Sequence, residues 1–165
     1  MNKPLMVHVI TNFAGVGGAE MMLARLIQYT EHQYEHVIIG LMKTSEVYQS
    51  TLDRCQAHYA LDWNGINTLG TVSKLRTLLK KLQPATVQCW MYHANALTSL
   101  SVIGLARKPK VVWGIHHSLA SPKDESISTK IALALSKILS QQASAIIYCA
   151  HSSMQQHQAF GFKNG

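Results

Sequence analysis

The sequence predicts a Rossmann-like α/β fold: a three-layer α/β/α sandwich around a mostly parallel sheet. Three observations lead there. Short β-rich apolar runs alternate with segments of helical periodicity along the whole chain. Those runs are continuously apolar, as strands buried on both faces must be. The first run passes through a glycine-rich break directly into a helix, as at the first turn of doubly wound sheets. At 165 residues, 1–165 reads as one domain.

Residues 5–11 (LMVHVIT) form the first strand, and Gly15-Val16-Gly17-Gly18 breaks it. Residues 19–30 then place Met22, Leu23, Leu26 and Ile27 at helical spacing. Strand two is 36–41, followed by a short helix at 46–55 and a weak strand at 57–61. Residues 68–82 are amphipathic. Val72, Leu75, Leu78, Leu79 and Leu82 are predicted inward, and Lys74, Arg76, Lys80 and Lys81 outward. Pro84 stops that helix. A strand at 86–91, a helix at 95–106 and a strand at 111–115 follow. After a loop at 118–123 comes a long helix at 126–141, with Ile131, Leu135, Ile138 and Leu139 on its predicted inner face. A strand at 145–149 and a helix at 152–160, capped by Ser152 or Ser153, close the chain.

Composition excludes several classes. Cys55, Cys89 and Cys149 are odd in number and form no CxxC, so neither a disulfide framework nor a thiolate metal site is expected. Cys89 and Cys149 lie in apolar runs and read as buried thiols. No signal-peptide pattern and no stretch of about 20 apolar residues occurs. A cytoplasmic protein is expected, peripheral at the inner face of the membrane. The net charge of +7 calls for anionic partners, yet the sequence carries no zinc-finger, RRM or homeodomain pattern. No nucleic acid is therefore expected, and the charge is assigned to an anionic membrane surface or to phosphate.

In open parallel sheets, ligands bind at the carboxyl ends of the strands. Three constellations fall there. In Gly15-x-Gly17-Gly18-Ala19-Glu20, glycines let a ligand approach the backbone, and the helix start offers free N–H groups to an anion. A plain tight turn is the other reading. Glu20 replaces the small residue of a dinucleotide fingerprint, and the second strand ends without an acid, so a nicotinamide site is disfavoured. In Trp90–Asn95, His93 and Asn95 can hydrogen-bond a hydroxylated ligand and Tyr92 can stack on it. Alternatively, Asn95 caps the helix and His93 is structural. In Gly114–Ser118, neighbouring His116 and His117 point to opposite faces, so one of them can face the crevice as a hydrogen-bonding partner; the other reading for each is an exposed or packed histidine. No HExxH set, GxSxG or carboxylate pair is present, and the one HxxxH spacing, His32 to His36, runs into the second predicted strand rather than along a helix. No metal is expected, and a self-sufficient glycosidase is unsupported.

These motifs, in this order, resemble the N-terminal half of GT-B fold glycosyltransferases of glycosyltransferase family 4. The carriers are VITNFAGVGGAEMMLARLI, PATVQCWMYHANALTSL, KVVWGIHHSL and SAIIYCAHSSMQQHQAFGF. The forms WMYHA and WGI-x-HS are closest to members that build lipopolysaccharide or capsule. The resemblance implies that Gly17 and Gly18 lie close to donor phosphates or acceptor, and that Glu20 orients the loop. His93 and Asn95 would face the sugar. His116 would be the catalytic histidine, hydrogen-bonded to the donor sugar, with His117 as the alternative because relatives often carry Arg before His-Ser. Two departures stand out: Met21 follows Glu20 where Arg is common, and Ala150-His151 precede Ser152.

The resemblance further implies sugar transfer from a nucleotide-diphosphate sugar to a hydroxyl on a glycan or lipid-linked acceptor. Configuration is retained, and no metal or other cofactor is needed. Family members carry a second, donor-binding domain with an E-x7-E segment, and these 165 residues are expected to hold only the first. The expectation is an acceptor-side domain, inactive or nearly so alone. The alternative is a non-catalytic Rossmann-like binding module that docks on a partner subunit.

Overall fold

The structure is a computed structural model, and it describes residues 3–119 and 126–163. Its strands are β1 (Leu5–Ile10), β2 (Glu35–Gly40), β3 (Ala57–Ala60), β4 (Thr86–Trp90), β5 (Lys110–Ile115) and β6 (Ala145–Tyr148). All five pairings are parallel, in the order β3-β2-β1-β4-β5-β6. The helices are α1 (Gly18–Thr30), α2 (Gln49–Leu52), α3 (Thr68–Leu82), α4 (Tyr92–Val102), α5 (Ile127–Leu139) and α6 (His151–Phe160). The predicted fold class is the one observed. The predicted loop at 118–123 lies mostly outside the described residues, as do Asp124 and Glu125.

Strand alternation sorts the core into two clusters. Val7, Val9, Val37, Ile39, Val87, Cys89, Trp113 and Ile115 face α3, α4 and α5. Ile10, Ile38 and Trp90 face α1 and α2, where Leu23 and Ile27 anchor α1 at zero exposure. Burying each such aliphatic side chain stabilises by about 1.5–3 kcal/mol. Chain order reverses between β1 and β4, so the sheet has its switch point there.

On the α1 side a polar relay runs through the core. The Trp90 indole can only donate, and its Nε1 faces Nδ1 of fully buried His8 at 3.4 Å. His8 therefore carries its proton on Nε2 and donates to Nδ1 of His36 at 3.0 Å. His36 in turn donates from Nε2 to Oγ1 of Thr30 at 3.1 Å, and Thr30 donates to the Leu26 carbonyl. Every bond in this chain needs both imidazoles neutral. Burial, with the neighbouring His36, drives the His8 pKa down to about 3.

Several sequence expectations change in three dimensions. The short helix at 46–55 resolves into a 3₁₀ turn, Glu46–Tyr48, followed by α2. Ile131 and Ile138 of α5 point outward, 58% and 70% exposed. The inner stripe is instead Ala132, Leu133, Ser136 and Leu139, whose small members let α5 pack closely on α4. Met22 is likewise largely exposed. Cys149 is exposed rather than buried: it lies just past the end of β6, in an open hollow between α1 and that edge of the sheet. Helix α6 starts after Ala150 without a side-chain cap, and Ser153 instead donates to the His117 carbonyl at 2.9 Å.

Arg76 is not simply a solvated cation. Its guanidinium donates to the carbonyls of Ser101 (3.0 Å), Ile103 and Gly104 (3.3 Å), closing the end of α4. Arg76→Met removes these charge-assisted bonds and is expected to cost about 1.5–3 kcal/mol in urea unfolding. An unchanged midpoint would show that water replaces them freely.

Candidate functional site

A cleft of about 280 Å³ opens at the carboxyl ends of β1 and β4, over the switch point. Three crossings build it. The loop after β1 supplies Thr11, Asn12 and, from the first turn of α1, Glu20. The turn from β4 into α4 supplies Met91, Tyr92 and His93. His117 after β5 and Thr129 in the first turn of α5 close it. Among the described residues, the lining holds one carboxylate and two imidazoles and no Lys or Arg. Such a surface accepts and donates hydrogen bonds to hydroxyl groups and lacks a counter-charge for a diphosphate.

The sequence-predicted residues separate here. Glu20, His93 and His117 meet in the cleft. Asn95 does not: α4 begins at Tyr92, earlier than predicted, so Asn95 sits on the fourth residue of a helix and is fully buried. It caps nothing, since Met91 is the residue before the helix, and its amide has no hydrogen-bond partner among the described residues. His116 is also outside the cleft. It keeps the phase of Gly114 and turns toward α1, where it stacks on Trp90 (centroids 4.9 Å, 14°). It lines a separate hollow of about 450 Å³ with Met22, Arg25 and Cys149. Strand alternation thus gives the crevice to the second histidine of the pair.

Helix α1 begins at the glycine turn. Gly17 precedes the helix in extended conformation, and the first intrahelical bond is Met21 N–H to the Gly17 carbonyl at 3.0 Å. A Cβ on Gly17 would meet the Glu20 carboxylate, so glycine there leaves room for that acid to lie against the turn. A Cβ on Gly18 would meet nothing. The fold therefore makes no steric demand for glycine at 18, and the open space lies beside the cleft. Gly18→Ala is expected to leave the melting temperature unchanged or slightly raised, since glycine is the weaker helix former. It should weaken binding of whatever approaches the turn. A clear loss of stability would instead show that the glycine serves the fold.

Support beneath the cleft is rigid. Met91 holds a left-handed φ of 75° with ψ 163°, a conformation that costs a non-glycine residue about 1–3 kcal/mol. It turns the chain sharply from β4 into α4 and brings Tyr92 and His93 to the rim. Tyr92 donates to Nε2 of fully buried His157 at 2.7 Å, and Nδ1 of His157 donates to the Ser153 carbonyl at 2.7 Å. His93 stands against Trp63 (centroids 5.1 Å). Burial lowers its pKa, despite a bond to the Ser128 backbone, so it is neutral at pH 7. Asn12 lies in the segment 12–20 after β1, where strand-end position predicts ligand contact. Sequence reasoning missed Thr11 and Thr129.

Residues 16–165 match the sequence profile of Glycosyltransferase Family 4. The chain belongs to glycosyltransferase family 4. A comparison with curated proteins finds no match. Among solved structures, the fold is shared with Anabaena Alr3699/HepE in complex with UDP. The TM-score is 0.71 at 15% identity, over 97% of this chain and 41% of that one. The lipopolysaccharide outer core galactosyltransferase WaaB in its apo form gives a TM-score of 0.71 at 13% identity, over 96% and 43%. A UDP-N-acetylglucosamine 2-epimerase from Rickettsia bellii gives 0.65 at 13%, over 98% and 43%. Transferases and epimerases alike thus share this fold, and it is the family match that separates them. The chain spans about two-fifths of the length of these structures. Among the described residues, no three of His, Cys, Asp and Glu gather as metal ligands, and no helix is long and apolar enough to cross a membrane.

Proposed function

We propose that this family 4 domain is the acceptor side of a retaining glycosyltransferase of cell-surface glycan synthesis. Its cleft holds a hydroxyl-bearing glycan or lipid-linked acceptor. A second, donor-binding domain, in the same chain or on a partner, holds the nucleotide-diphosphate sugar. The observation that carries this reading is the cleft lining: hydroxyl-seeking Glu20, His93 and His117, with no Lys or Arg among the described residues to pair a diphosphate. HepE in complex with UDP-glucose, alike in fold, supports a uridine diphosphate sugar as donor.

In this scheme His117, exposed at the mouth of the cleft, takes the catalytic place that the family resemblance implies for His116. It donates a hydrogen bond to charge that develops as the sugar leaves its diphosphate. Such donors are strong only when water is excluded. The cleft is open on one side, so the isolated domain is expected to be nearly inactive. Glu20 accepts from a sugar hydroxyl, and neutral His93 orients the acceptor. No metal takes part in the scheme. The protein acts in the cytoplasm, at the inner face of the membrane.

Titration calorimetry with UDP tests the assignment of sides. The domain alone is expected to show no saturable UDP binding below millimolar concentration. Micromolar UDP binding would contradict the acceptor-side reading.

A further inference from the structure

We propose that the face built by α3, α4 and α5 docks on an anionic lipid bilayer, with the outward isoleucines of α5 as its apolar footing. Charge is the first argument. Up to Asp62 the chain has four basic and six acidic residues, and beyond it eleven basic and two acidic, Asp124 and Glu125. The first part is net −2 and the second net +9. Helices α3, α4 and α5 contain no Asp or Glu, whereas α3 and α5 carry Lys74, Arg76, Lys80, Lys81, Lys130 and Lys137. The acids of α1 and β2, such as Glu20 and Glu35, belong to the other part of the molecule. A surface polarised in this way is attracted to anionic lipid headgroups.

Apolar exposure is the second argument. Ile127, Ile131 and Ile138 are 78%, 58% and 70% exposed and follow one line along α5, with Ala134 completing the stripe. Lys130 and Lys137 adjoin it one turn on. Across a narrow groove, Ile66 and Leu69 at the start of α3 stand 92% and 87% exposed. Trp63 and Thr68 on one wall and Ile131 and Leu135 on the other join the two sides into one patch. Isolated exposed aliphatics are ordinary, but a contiguous apolar patch among lysines has the make-up of a helix that lies in a membrane interface.

Position is the third argument. His93 lines both this groove and the cleft, so the patch runs into the site. In its purpose the proposal rests on the acceptor-side reading: docking on this face would bring the cleft to an acceptor whose lipid stays in the leaflet. Its test uses no transfer reaction, so the two readings fail separately.

The test is co-sedimentation of the 165-residue chain with vesicles of phosphatidylcholine alone or mixed 7:3 with phosphatidylglycerol. We expect binding at least about tenfold stronger to the mixed vesicles, weakening as salt is raised. Ile127→Ser/Ile131→Ser/Ile138→Ser should lower it at least about tenfold with an unchanged circular dichroism spectrum and melt. Lys74→Gln/Lys137→Gln should lower it by about fivefold per lysine. Tyr29→Ser/Ile147→Ser, on the opposite sheet face, should leave it unaltered. Equal binding to both vesicle types, no binding, or an equal loss in the opposite-face variant would overturn the proposal. So would an isoleucine variant that binds as the parent does. A parent that is a dimer in solution, made monomeric by the isoleucine changes without vesicle binding, would assign the stripe to a second copy instead.

Discussion

His117→Ala, in the chain supplied with its donor-binding domain, is expected to lower kcat by about 10²–10³-fold with little effect on stability. The size follows from the loss of one hydrogen-bond donor aimed at developing charge. The small effect on stability follows from exposure: His117 stands at the mouth of the cleft rather than in a core. His116→Ala should do the reverse. It removes a ring stacked on Trp90 and should change the rate less than tenfold while destabilising the fold by about 0.5–1.5 kcal/mol. Steady-state rates and thermal melts of both variants decide the matter. A rate collapse in His116→Ala with His117→Ala unaffected would return the catalytic role to His116.

Acid should unfold the domain early. The folded state holds His8 at a pKa of about 3, whereas an unfolded histidine titrates near 6.5. Between these values the unfolded chain binds a proton at position 8 that the folded chain refuses, so stability falls as the pH falls. The gap corresponds to about 2 kcal/mol lost by pH 5 and about 4 kcal/mol by pH 3. His36, His93 and His157, also lowered chiefly by burial, act in the same direction. Urea unfolding at pH 7 and pH 5 should show this loss, and the His8 ring resonances should not titrate between those values. Equal or greater stability at pH 5 would mean that the relay from Trp90 to Thr30 is not held neutral.

The fold was legible because both of its periods are plain in the sequence. Runs such as VVWGI and AIIYC are short and rich in β-branched and aromatic residues, as buried strands are, and LARLIQ carries helical spacing. Inward and outward faces were harder to read on α5. Ile131 and Ile138 look like core by hydropathy, but close packing on α4 selected the smaller Ala132 and Ser136 instead. Site residues were legible to the extent that strand ends are. Glu20 and His93 followed from their place after β1 and β4. The strand end at Ile115 was predicted, but the pair His116-His117 could not be split without knowing which phase of β5 turns toward α1, the one that Gly114 and His116 share. Asn95 was lost for a similar reason. A left-handed Met91 starts α4 three residues before the predicted boundary, and no propensity scale anticipates methionine there.

The central claim is that this cleft completes a glycosyltransferase from its acceptor side. Its most direct test is transfer of labelled sugar from UDP-glucose and other nucleotide sugars to a lipopolysaccharide-type acceptor, with this chain alone and with a donor-binding domain supplied. The account predicts no transfer by the chain alone, transfer by the completed enzyme, and loss of that transfer in His117→Ala. A completed, folded enzyme with Glu20, His93 and His117 intact that transfers no sugar across the donor panel would contradict it.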